Sequence, residues 1–276
     1  MGDIYVITTK SQKHILRREL PQLKDSHLLL EPFRNNTAPA ILFSCLHLKK
    51  KYGPDEVVSF YPADHLIQNH GMFRKTMTLA IQAAEKTARL VILGIRPAFP
   101  ATGYGYLQSG PAVRGMPGVF GVRRFVEKPN RKRARSYLQK GNFYWNSGIF
   151  TWKTGVLIRA MEKYSPDQGY EKKGVSIDVA VLEKADQVAF CKTSMDWCDL
   201  GSWDMLLEKS PRDPGGSYTQ GAPIHRELKE SLVIHHGRTP LVVLGVTGLM
   251  IVQTPQGTLI CRKGRSEEAA RLIQKK

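Results

Sequence analysis

Short apolar runs alternate with longer segments of helical periodicity in the first part of the sequence. The apolar runs, rich in leucine and β-branched residues, predict buried strands at Asp3–Thr9, Leu28–Leu30, Val57–Tyr61 and Leu90–Ile95. The segments between them predict helices at His14–Leu20, Thr37–Lys51 and Gly71–Ala88. Strands that alternate with helices favour an α/β fold, and we expect a Rossmann-like mixed sheet.

The sequence pattern changes after residue 210. Residues 211–230 are rich in proline, glycine and serine, which predicts a linker. Leu232–Ile260 then alternates short β runs with glycine and proline turns, and Ser266–Gln274 predicts a last helix. We therefore expect a first domain over residues 1–210, a linker, and a small β-rich appendage over residues 231–276.

Basic residues outnumber acidic ones. Lysine and arginine number 41 against 24 aspartate and glutamate residues, so the formal net charge is +17. Such a balance suggests an anionic partner, such as a nucleotide, a sugar phosphate, a nucleic acid or a membrane surface. The basic residues are scattered, however, with small clusters at Lys49–Lys51 and Arg131–Arg135 and no nucleic-acid-binding motif. We interpret most of this charge as solvated surface and expect no nucleic-acid partner.

The four cysteines have neither metal-ligand nor redox spacing, so reduced thiols are expected. No apolar run is long enough to span a bilayer, and the N-terminus lacks a signal-peptide pattern. These features predict a cytoplasmic protein with no membrane partner.

Glu127, Lys128 and Pro129 follow an apolar run that we predict as a strand. The proline forces the chain to turn, which leaves one carboxylate and one ammonium at the end of a sheet. A carboxylate accepts hydrogen bonds from sugar hydroxyls and an ammonium holds a phosphate, so the pair suits a phosphorylated sugar. The alternative is a surface salt bridge before a turn.

Asn146 interrupts an aromatic and apolar run, where a polar amide needs hydrogen-bond partners. It either faces a ligand or caps a bulge that Gly148 relaxes. The glycines at 103 and 105 allow close backbone approach to a ligand, and Tyr104 between them can lie against a sugar face. The alternative for this segment is an ordinary loop.

Two aspartates stand beside predicted turns. Asp64 follows a strand, and open α/β sheets bind ligands beyond the carboxyl ends of their strands. Asp199 precedes a glycine-containing turn before a helix that Ser202 caps. Each aspartate has the alternative role of fixing its own turn. The helix that begins near Asn36 and Thr37 either receives a nucleotide at its free backbone N–H groups or is simply capped there.

Six motifs occur in order: EPxxxNTAPA, PADH, TGYGY, VEKP, WNSG and WxDLGSW. Together they resemble the mannose-1-phosphate guanylyltransferases, members of the sugar-nucleotide pyrophosphorylase family. The resemblance implies the nucleotide-diphospho-sugar transferase fold with a small C-terminal β appendage. It also implies transfer of GMP from GTP to mannose 1-phosphate, with release of pyrophosphate.

The resemblance also implies a role for each matching residue. Asp64 and Asp199 would hold the catalytic Mg²⁺, and Lys128 would steer the sugar phosphate. The sugar-binding residues would be Gly103, Tyr104, Gly105, Glu127, Asn146 and Asp178. The nucleotide-binding residues would be Glu31, Asn36 and Thr37. For Asp178, at the start of a helix predicted over Ser176–Lys184, the alternative is to complement the helix dipole.

The sequence departs from the family pattern at three places. Asn35 and Ala101 stand where the family usually has arginine and glutamate. The GGxGTRLWP loop that wraps the triphosphate has no counterpart, and Asp3–Thr9 resembles the family's second strand. We therefore expect an N-terminally truncated nucleotidyltransferase-like domain, as a homo-oligomer or paired with an intact homologue. The alternative is an inactive sugar-phosphate-binding or regulatory homologue, or a fragment.

Overall fold

A computed structural model describes residues 4–32, 34–166, 174–266, 268, 269 and 272. The chain divides into two compact units. The first comprises Met1–Ala63 and Ile67–Trp197, and the second comprises Asp64–Leu66 and Cys198–Lys276. No helix in the described ranges is both long enough and apolar enough to cross a membrane.

The helices and strands follow the predicted alternation. The helices are α1 (Lys13–Glu19), α2 (Thr37–Tyr52), α3 (His70–Thr87), α4 (Arg131–Lys140), α5 (Thr154–Tyr164) and α6 (Trp203–Lys209). The strands up to residue 198 are β1 (Val6–Thr8), β2 (Leu28–Leu30), β3 (Val57–Phe60), β4 (Leu66–Ile67), β5 (Leu90–Ile95), β6 (Tyr106–Ala112), β7 (Val119–Val126), β8 (Phe143–Lys153), β9 (Val188–Thr193) and β10 (Trp197–Cys198).

A six-stranded sheet forms the centre of the first unit within the described residues, in the order β3-β8-β5-β9-β7-β6. Strand β5 is parallel to β9 and antiparallel to β8, and all of its residues are buried. Alternate β5 side chains pack on α3 on one face and on α2 and α5 on the other. Because an isolated sheet would leave both faces wet, the helices on each side complete the core. The predicted α/β fold with a mixed sheet is confirmed.

Strands β1 and β2 form a separate parallel pair, with Val6 opposite Leu28. Among the described residues, no strand of the six-stranded sheet pairs with either of them. The pair is anchored to α2 instead, where the Tyr5 hydroxyl meets the Tyr52 hydroxyl at 2.7 Å and accepts from the Lys51 ammonium at 2.7 Å. The adjacent helix α1 contains no buried residue. This region therefore has little apolar burial to stabilise it.

The second unit contains the strands after residue 198, most of which pair in parallel. They are β11 (Tyr218–Gln220), β12 (Ile224–Arg226), β13 (Leu232–His235), β14 (Val242–Leu244), β15 (Leu249–Thr254) and β16 (Gly257–Arg262). Strands β11, β13 and β15 pair in parallel, and β12 pairs in parallel with β14. Strand β16 closes the larger sheet as an antiparallel hairpin with β15. Apolar side chains of β13, β14 and β15 share one cluster, which includes Val233, Val243 and Ile251.

The predicted domain boundaries differ from the observed ones. Residues 211–230, predicted as a linker, contain β11 and β12, which pair with later strands. The division between the units falls at Trp197 rather than at residue 210. Gly216 and Gly221, both with positive φ, form turns before and after the three-residue strand β11. Dense turn residues give such a segment the composition of a linker. The predicted helix Ser266–Gln274 lies largely outside the described residues.

Candidate functional site

The chain turns sharply where β7 ends, as the Glu-Lys-Pro sequence predicts. Lys128 has a φ of 42°, and Asn130 then caps α4 by accepting the Arg133 N–H at 3.0 Å. The Lys128 ammonium lies 3.5 Å from a carboxylate oxygen of Glu127, with side-chain exposures of 63% and 17% respectively. The turn therefore holds the carboxylate inside the protein and leaves the ammonium in solvent.

Glu127 lies directly against Gly105. A Cβ at position 105 would be 2.7 Å from Glu127 Oε2 and 3.1 Å from the Phe125 ring. Glycine is therefore required here for the carboxylate to keep its position. Within the described residues, Glu127 Oε2 is buried and has no hydrogen-bond partner. A buried oxygen without a donor is a position that a ligand hydroxyl can satisfy.

Asn146 connects three parts of the first unit. Strand β8 bulges here relative to β5, and the Asn146 Oδ1 accepts the Gly148 N–H at 2.9 Å. The Asn146 backbone N–H donates to the Gly105 carbonyl at 2.8 Å, and its Nδ2 donates to Asp178 Oδ1 at 2.8 Å. The two interpretations from sequence are thus compatible, because the oxygen caps the bulge while the amide nitrogen turns towards an acidic side chain.

Asp178 begins a π-helical segment, Asp178–Leu182. The sequence predicts a longer helix over Ser176–Lys184, and the Ser176 hydroxyl does accept the Val179 N–H, at 3.4 Å. The described helix is shorter and wider than an α-helix, because the Glu183 N–H donates to the Asp178 carbonyl five residues earlier. The Asp178 carboxylate accepts from Asn146, and its contact with a sugar stays a prediction.

Glu127 and Asp178 both have raised pKa values. Burial and, to a smaller extent, the nearby Asp178 carboxylate raise the pKa of Glu127 to about 7, although Lys128 acts in the opposite direction. Burial also raises the pKa of Asp178, against the hydrogen bonds from its own backbone and from Asn146. The arrangement therefore concentrates hydrogen-bond acceptors in a partly dehydrated place, which suits neutral hydroxyl donors.

The glycine-rich loop contributes unequally to this cluster. Gly105 is central, whereas a Cβ at Gly103 would meet no atom within 4 Å. The Tyr104 ring packs edge-on against Trp145 and Trp197, with centroids 5.2 and 5.3 Å away. Tyr104 therefore supports the loop through aromatic packing, and its contact with a sugar stays a prediction.

The N-terminus of α2 is capped as predicted. Asn36 has a φ of 71° and accepts the Thr37 N–H at 2.8 Å, and the Ala38 N–H donates to the Val175 carbonyl at 3.2 Å. The Thr37 hydroxyl accepts the Ile177 N–H at 2.9 Å, which joins α2 to the segment before Asp178. Protein groups thus bond the N–H groups of Thr37 and Ala38. The nucleotide-binding role of Asn36 and Thr37 stays a prediction.

Glu31, the remaining predicted nucleotide-binding residue, follows β2. Its backbone N–H donates to the Thr8 carbonyl at 2.8 Å. Burial raises the pKa of its carboxyl group, and the Arg34 guanidinium lowers it. Glu31 is therefore tied by its backbone to the β1–β2 pair, and its contact with a nucleotide also stays a prediction.

A separate acidic pair belongs to the second unit. Asp64 and Asp199 both act on the pKa of His65, which they raise against a larger lowering by burial. Both carboxylates therefore lie within electrostatic reach of one imidazole ring. Asp199 Oδ1 also accepts the Gly201 N–H at 3.3 Å, and Ser202 caps α6 by accepting the Met205 N–H at 3.2 Å. Asp199 thus fixes its turn, as the alternative interpretation holds, and also lies within electrostatic reach of the same ring as Asp64.

The donor set of this pair is compatible with magnesium. In the described part of the chain, no group of three or more histidine, cysteine, aspartate or glutamate side chains could hold a metal. Mg²⁺ is typically bound by one or two carboxylates, with substrate phosphates and waters completing the octahedron. Two carboxylates, Asp64 and Asp199, fit that requirement, whereas a metal held entirely by protein ligands is not supported.

Comparison with known proteins identifies the family. The sequence model of the nucleotidyl transferase family matches residues 1–214. The chain belongs to the nucleotidyl transferase family. It is 33% identical to a mannose-1-phosphate guanylyltransferase of Escherichia coli and 30% identical to the alginate biosynthesis protein AlgA of Pseudomonas aeruginosa. These alignments cover 98% of this chain in both cases, but 62% and 61% of the relatives, so the chain spans less than two thirds of their length.

Solved structures give the same assignment of fold. A Thermus thermophilus structure, described as a mannose-1-phosphate geranyltransferase, is 25% identical with a TM-score of 0.83 and covers 98% of this chain and 82% of that one. A Helicobacter pylori structure described as a mannose-6-phosphate isomerase is 23% identical with a TM-score of 0.61, over 70% of this chain and 83% of that one. The second likeness supports the fold alone.

The structure of this nucleotidyl transferase also draws attention to two residues that the sequence predictions omit. His65 stands beside Asp64 in the PADH motif and is the ring that both aspartates affect. Glu183 accepts the backbone N–H of Glu127 at 2.8 Å. The motif itself was a signal for His65. Glu183 lies in the helix predicted over Ser176–Lys184, but its contact with Glu127 could not be predicted, because the two residues are 56 positions apart.

Proposed function

We propose that this nucleotidyl transferase is a mannose-1-phosphate guanylyltransferase, which transfers GMP from GTP to mannose 1-phosphate. The observation that carries the proposal is the buried Glu127 oxygen, held against Gly105 and without a donor among the described residues. The exposed Lys128 ammonium lies beside the same carboxylate. Acceptors for hydroxyls next to a cation for a phosphate match the chemistry of a sugar phosphate. Two relatives that are 33% and 32% identical to this chain are named mannose-1-phosphate guanylyltransferase.

The sugar would be recognised mainly through its hydroxyl groups. Ionised Glu127 would accept from one or two of them, which satisfies the oxygen that is otherwise unpaired. Asn146 has already given one amide hydrogen to Asp178, and its second hydrogen remains to bind a sugar oxygen. Lys128 would hold the phosphate as a point charge. Gly103 and Tyr104 would complete the loop at the edge of the sugar.

The nucleotide would be bound by a different set of residues. Asp64 and Asp199 would hold Mg²⁺, while Glu31, Asn36 and Thr37 would lie near the guanine. When bound, the metal ion would offset the repulsion between the two phosphate-bearing substrates and the charge that develops on pyrophosphate. The aspartates would supply oxygen ligands only.

The reaction itself needs no covalent enzyme intermediate. An oxygen of the sugar phosphate attacks the α-phosphorus of GTP in line, and the bond from that phosphorus to pyrophosphate breaks. The attacking oxygen is already anionic, so no proton has to be removed by a general base. The side chains of this chain therefore act by orienting the two substrates, which is the main source of rate in phosphoryl and nucleotidyl transfer.

The test is release of pyrophosphate from GTP and mannose 1-phosphate in the presence of Mg²⁺. We expect turnover with this pair to exceed turnover with glucose 1-phosphate, mannose 6-phosphate, ATP or UTP. A protein that binds mannose 1-phosphate without any turnover would instead be the inactive sugar-phosphate-binding homologue. Failure both to bind mannose 1-phosphate and to release pyrophosphate would overturn the proposal. A cytoplasmic location and an oligomeric state stay predictions.

Lys128→Ala separates phosphate recognition from sugar recognition. The variant should weaken binding of mannose 1-phosphate by at least about tenfold, because one charge-assisted contact is lost. Binding of unphosphorylated mannose should change little. Equal losses for the two ligands, measured by calorimetry, would show that Lys128 does not contact the phosphate.

A further inference from the structure

Glu183 is bonded to the turn that carries Glu127 and Lys128. Its Oε1 accepts the backbone N–H of Glu127 at 2.8 Å. That N–H lies one residue beyond the end of β7, outside the strand's hydrogen-bond ladder. The next residue, Lys128, has a φ of 42°, which is unfavourable for a side chain with a Cβ. A hydrogen bond at this position therefore helps to fix an unfavourable turn.

The π-helical segment explains how Glu183 reaches the turn. In an α-helix, residues five apart would point about 140° away from each other, at about 100° per residue. In the segment Asp178–Leu182, the hydrogen bond joins Asp178 to Glu183, so residues five apart follow each other one turn along the helix. Asp178 consequently bonds Asn146 while Glu183 bonds Glu127. Both acids of one short segment thus contact the proposed sugar site.

We propose that Glu183 is a positioning residue for the sugar phosphate, which orients Glu127 and Lys128 through the backbone and does not touch the substrate itself. The inference rests on the proposed function and deepens it. Glu183 makes its contact with the backbone N–H of Glu127, whereas the Glu127 side chain lies against Gly105. Loss of Glu183 should therefore loosen the turn without removing any group that binds the ligand.

The expected effect is specific to one substrate. Glu183→Ala should raise KM for mannose 1-phosphate about five- to tenfold, which corresponds to the net contribution of one typical hydrogen bond. KM for GTP and kcat at saturating sugar phosphate should stay within about twofold, because a ground-state contact with the sugar phosphate is what weakens. Kd for mannose 1-phosphate alone, from calorimetry, should rise by the same factor as its KM.

Glu183→Gln is the conservative variant, since its amide oxygen can still accept the Glu127 N–H. It should restore KM for mannose 1-phosphate to within about twofold of the unaltered protein, which identifies the hydrogen bond as the cause. Glu85→Ala, an exposed substitution on α3, is the matched control for loss of a surface glutamate. Thermal unfolding of all variants separates a change of binding from a change of stability.

The outcomes distinguish this inference from the proposed function. If the unaltered protein turns over mannose 1-phosphate but Glu183→Ala leaves its KM unchanged, only the role of Glu183 is wrong. Equal rises in KM for both substrates, or no rescue by Glu183→Gln, would also overturn it. If the unaltered protein neither binds nor turns over mannose 1-phosphate, the proposed function fails and the inference fails with it.

Discussion

The two acidic sites of this chain are built in opposite ways. In the first unit, Glu127 and Asp178 are largely withdrawn from water and are tied to a strand, a glycine loop and a π-helical segment. In the second unit, Asp64 is exposed, and Asp199 is half-buried in a short turn that it helps to fix. The first pair is held by the fold, whereas the second is carried on loops.

The difference matches what each site is proposed to bind. A sugar hydroxyl is neutral, so an acceptor that recognises it gains from exclusion of competing water, although burial disfavours the carboxylate charge. A metal ion needs fully ionised ligands, which remain ionised most readily in contact with solvent. Under the proposed function, the burial of each acid thus matches the charge of the ligand that it would bind. Four predictions test this contrast.

The largest expected effect is at the exposed pair. Asp64→Asn and Asp199→Asn should each lower kcat/KM for guanylyl transfer by at least about a thousandfold and raise the Mg²⁺ concentration needed for half-maximal rate. The free energy of unfolding should change by less than about 0.5 kcal/mol for Asp64, because exposed sites tolerate substitution. Steady-state kinetics over a Mg²⁺ series and urea unfolding check both parts.

Asp55→Asn is the control for this first prediction. Asp55 is an aspartate with 86% side-chain exposure that pairs with Lys153, and its loss should leave the Mg²⁺ dependence unaltered. A Mg²⁺ response that is the same in Asp64→Asn, Asp199→Asn and the unaltered protein would show that the pair does not bind the metal.

The second effect is a loss of stability that Glu127 causes. Its pKa of about 7 in the folded protein exceeds the ordinary value of 4.5, so the folded protein binds more protons than the unfolded chain between these pH values. The free energy of unfolding therefore falls as pH rises through this window, by on the order of 2 kcal/mol from this group. Glu127→Gln does not titrate and should escape this fall while losing sugar-phosphate binding.

Urea unfolding at pH 5 and pH 8 tests this second prediction. For each protein, the change in the free energy of unfolding between the two pH values is measured, and the change for Glu127→Gln is subtracted from the change for the unaltered protein. Other titrating groups cancel in that difference. Glu85→Gln, at an exposed position, should show no such difference. An equal pH dependence for Glu127→Gln and the unaltered protein would contradict the assignment of Glu127 as a destabilising buried acid.

The third effect concerns the close approach of Gly105 to Glu127. Gly105→Ala places a methyl group 2.7 Å from Glu127 Oε2, and the carboxylate must move away. We expect KM for mannose 1-phosphate to rise about tenfold, with little change in KM for GTP. Gly103→Ala is the matched control in the same loop, because its new Cβ meets no atom within 4 Å. Similar kinetics for the two variants would remove Gly105 from the proposed site.

The smallest effect is a shift along the pH axis. Asp178→Asn keeps an oxygen that can accept from Asn146, but it removes a negative charge. That charge is the largest cause of the raised Glu127 pKa after burial. The pH above which mannose 1-phosphate binds tightly should therefore fall, by up to about one unit. Lys128 and Glu183, which also affect the Glu127 pKa, remain in place. Calorimetry from pH 5.5 to about 8.5 measures the shift, because the phosphate's own titration is common to both proteins. A midpoint that stays in place would show that the two acids are not coupled.

Local features of the fold were predictable from the sequence. Asn36 caps α2, Gly141 ends α4 in the left-handed region, and Ser202 caps α6, each as its residue type suggests. The turn at Glu127–Lys128 was likewise predictable from a motif. Such features depend on residues only a few positions apart, so the backbone preferences of those residues determine them.

Non-local features were decided by the tertiary structure. Residues 211–230 form strands because later strands offer backbone partners, although their composition is that of a linker. The hydrogen bond from Glu127 to Glu183 joins residues that are 56 positions apart in the sequence. The raised pKa of Glu127 depends on burial that only the packed protein provides. The sequence by itself determined where each acid stands in its motif, and packing decided which acids are dehydrated, because desolvation depends on every neighbour in space.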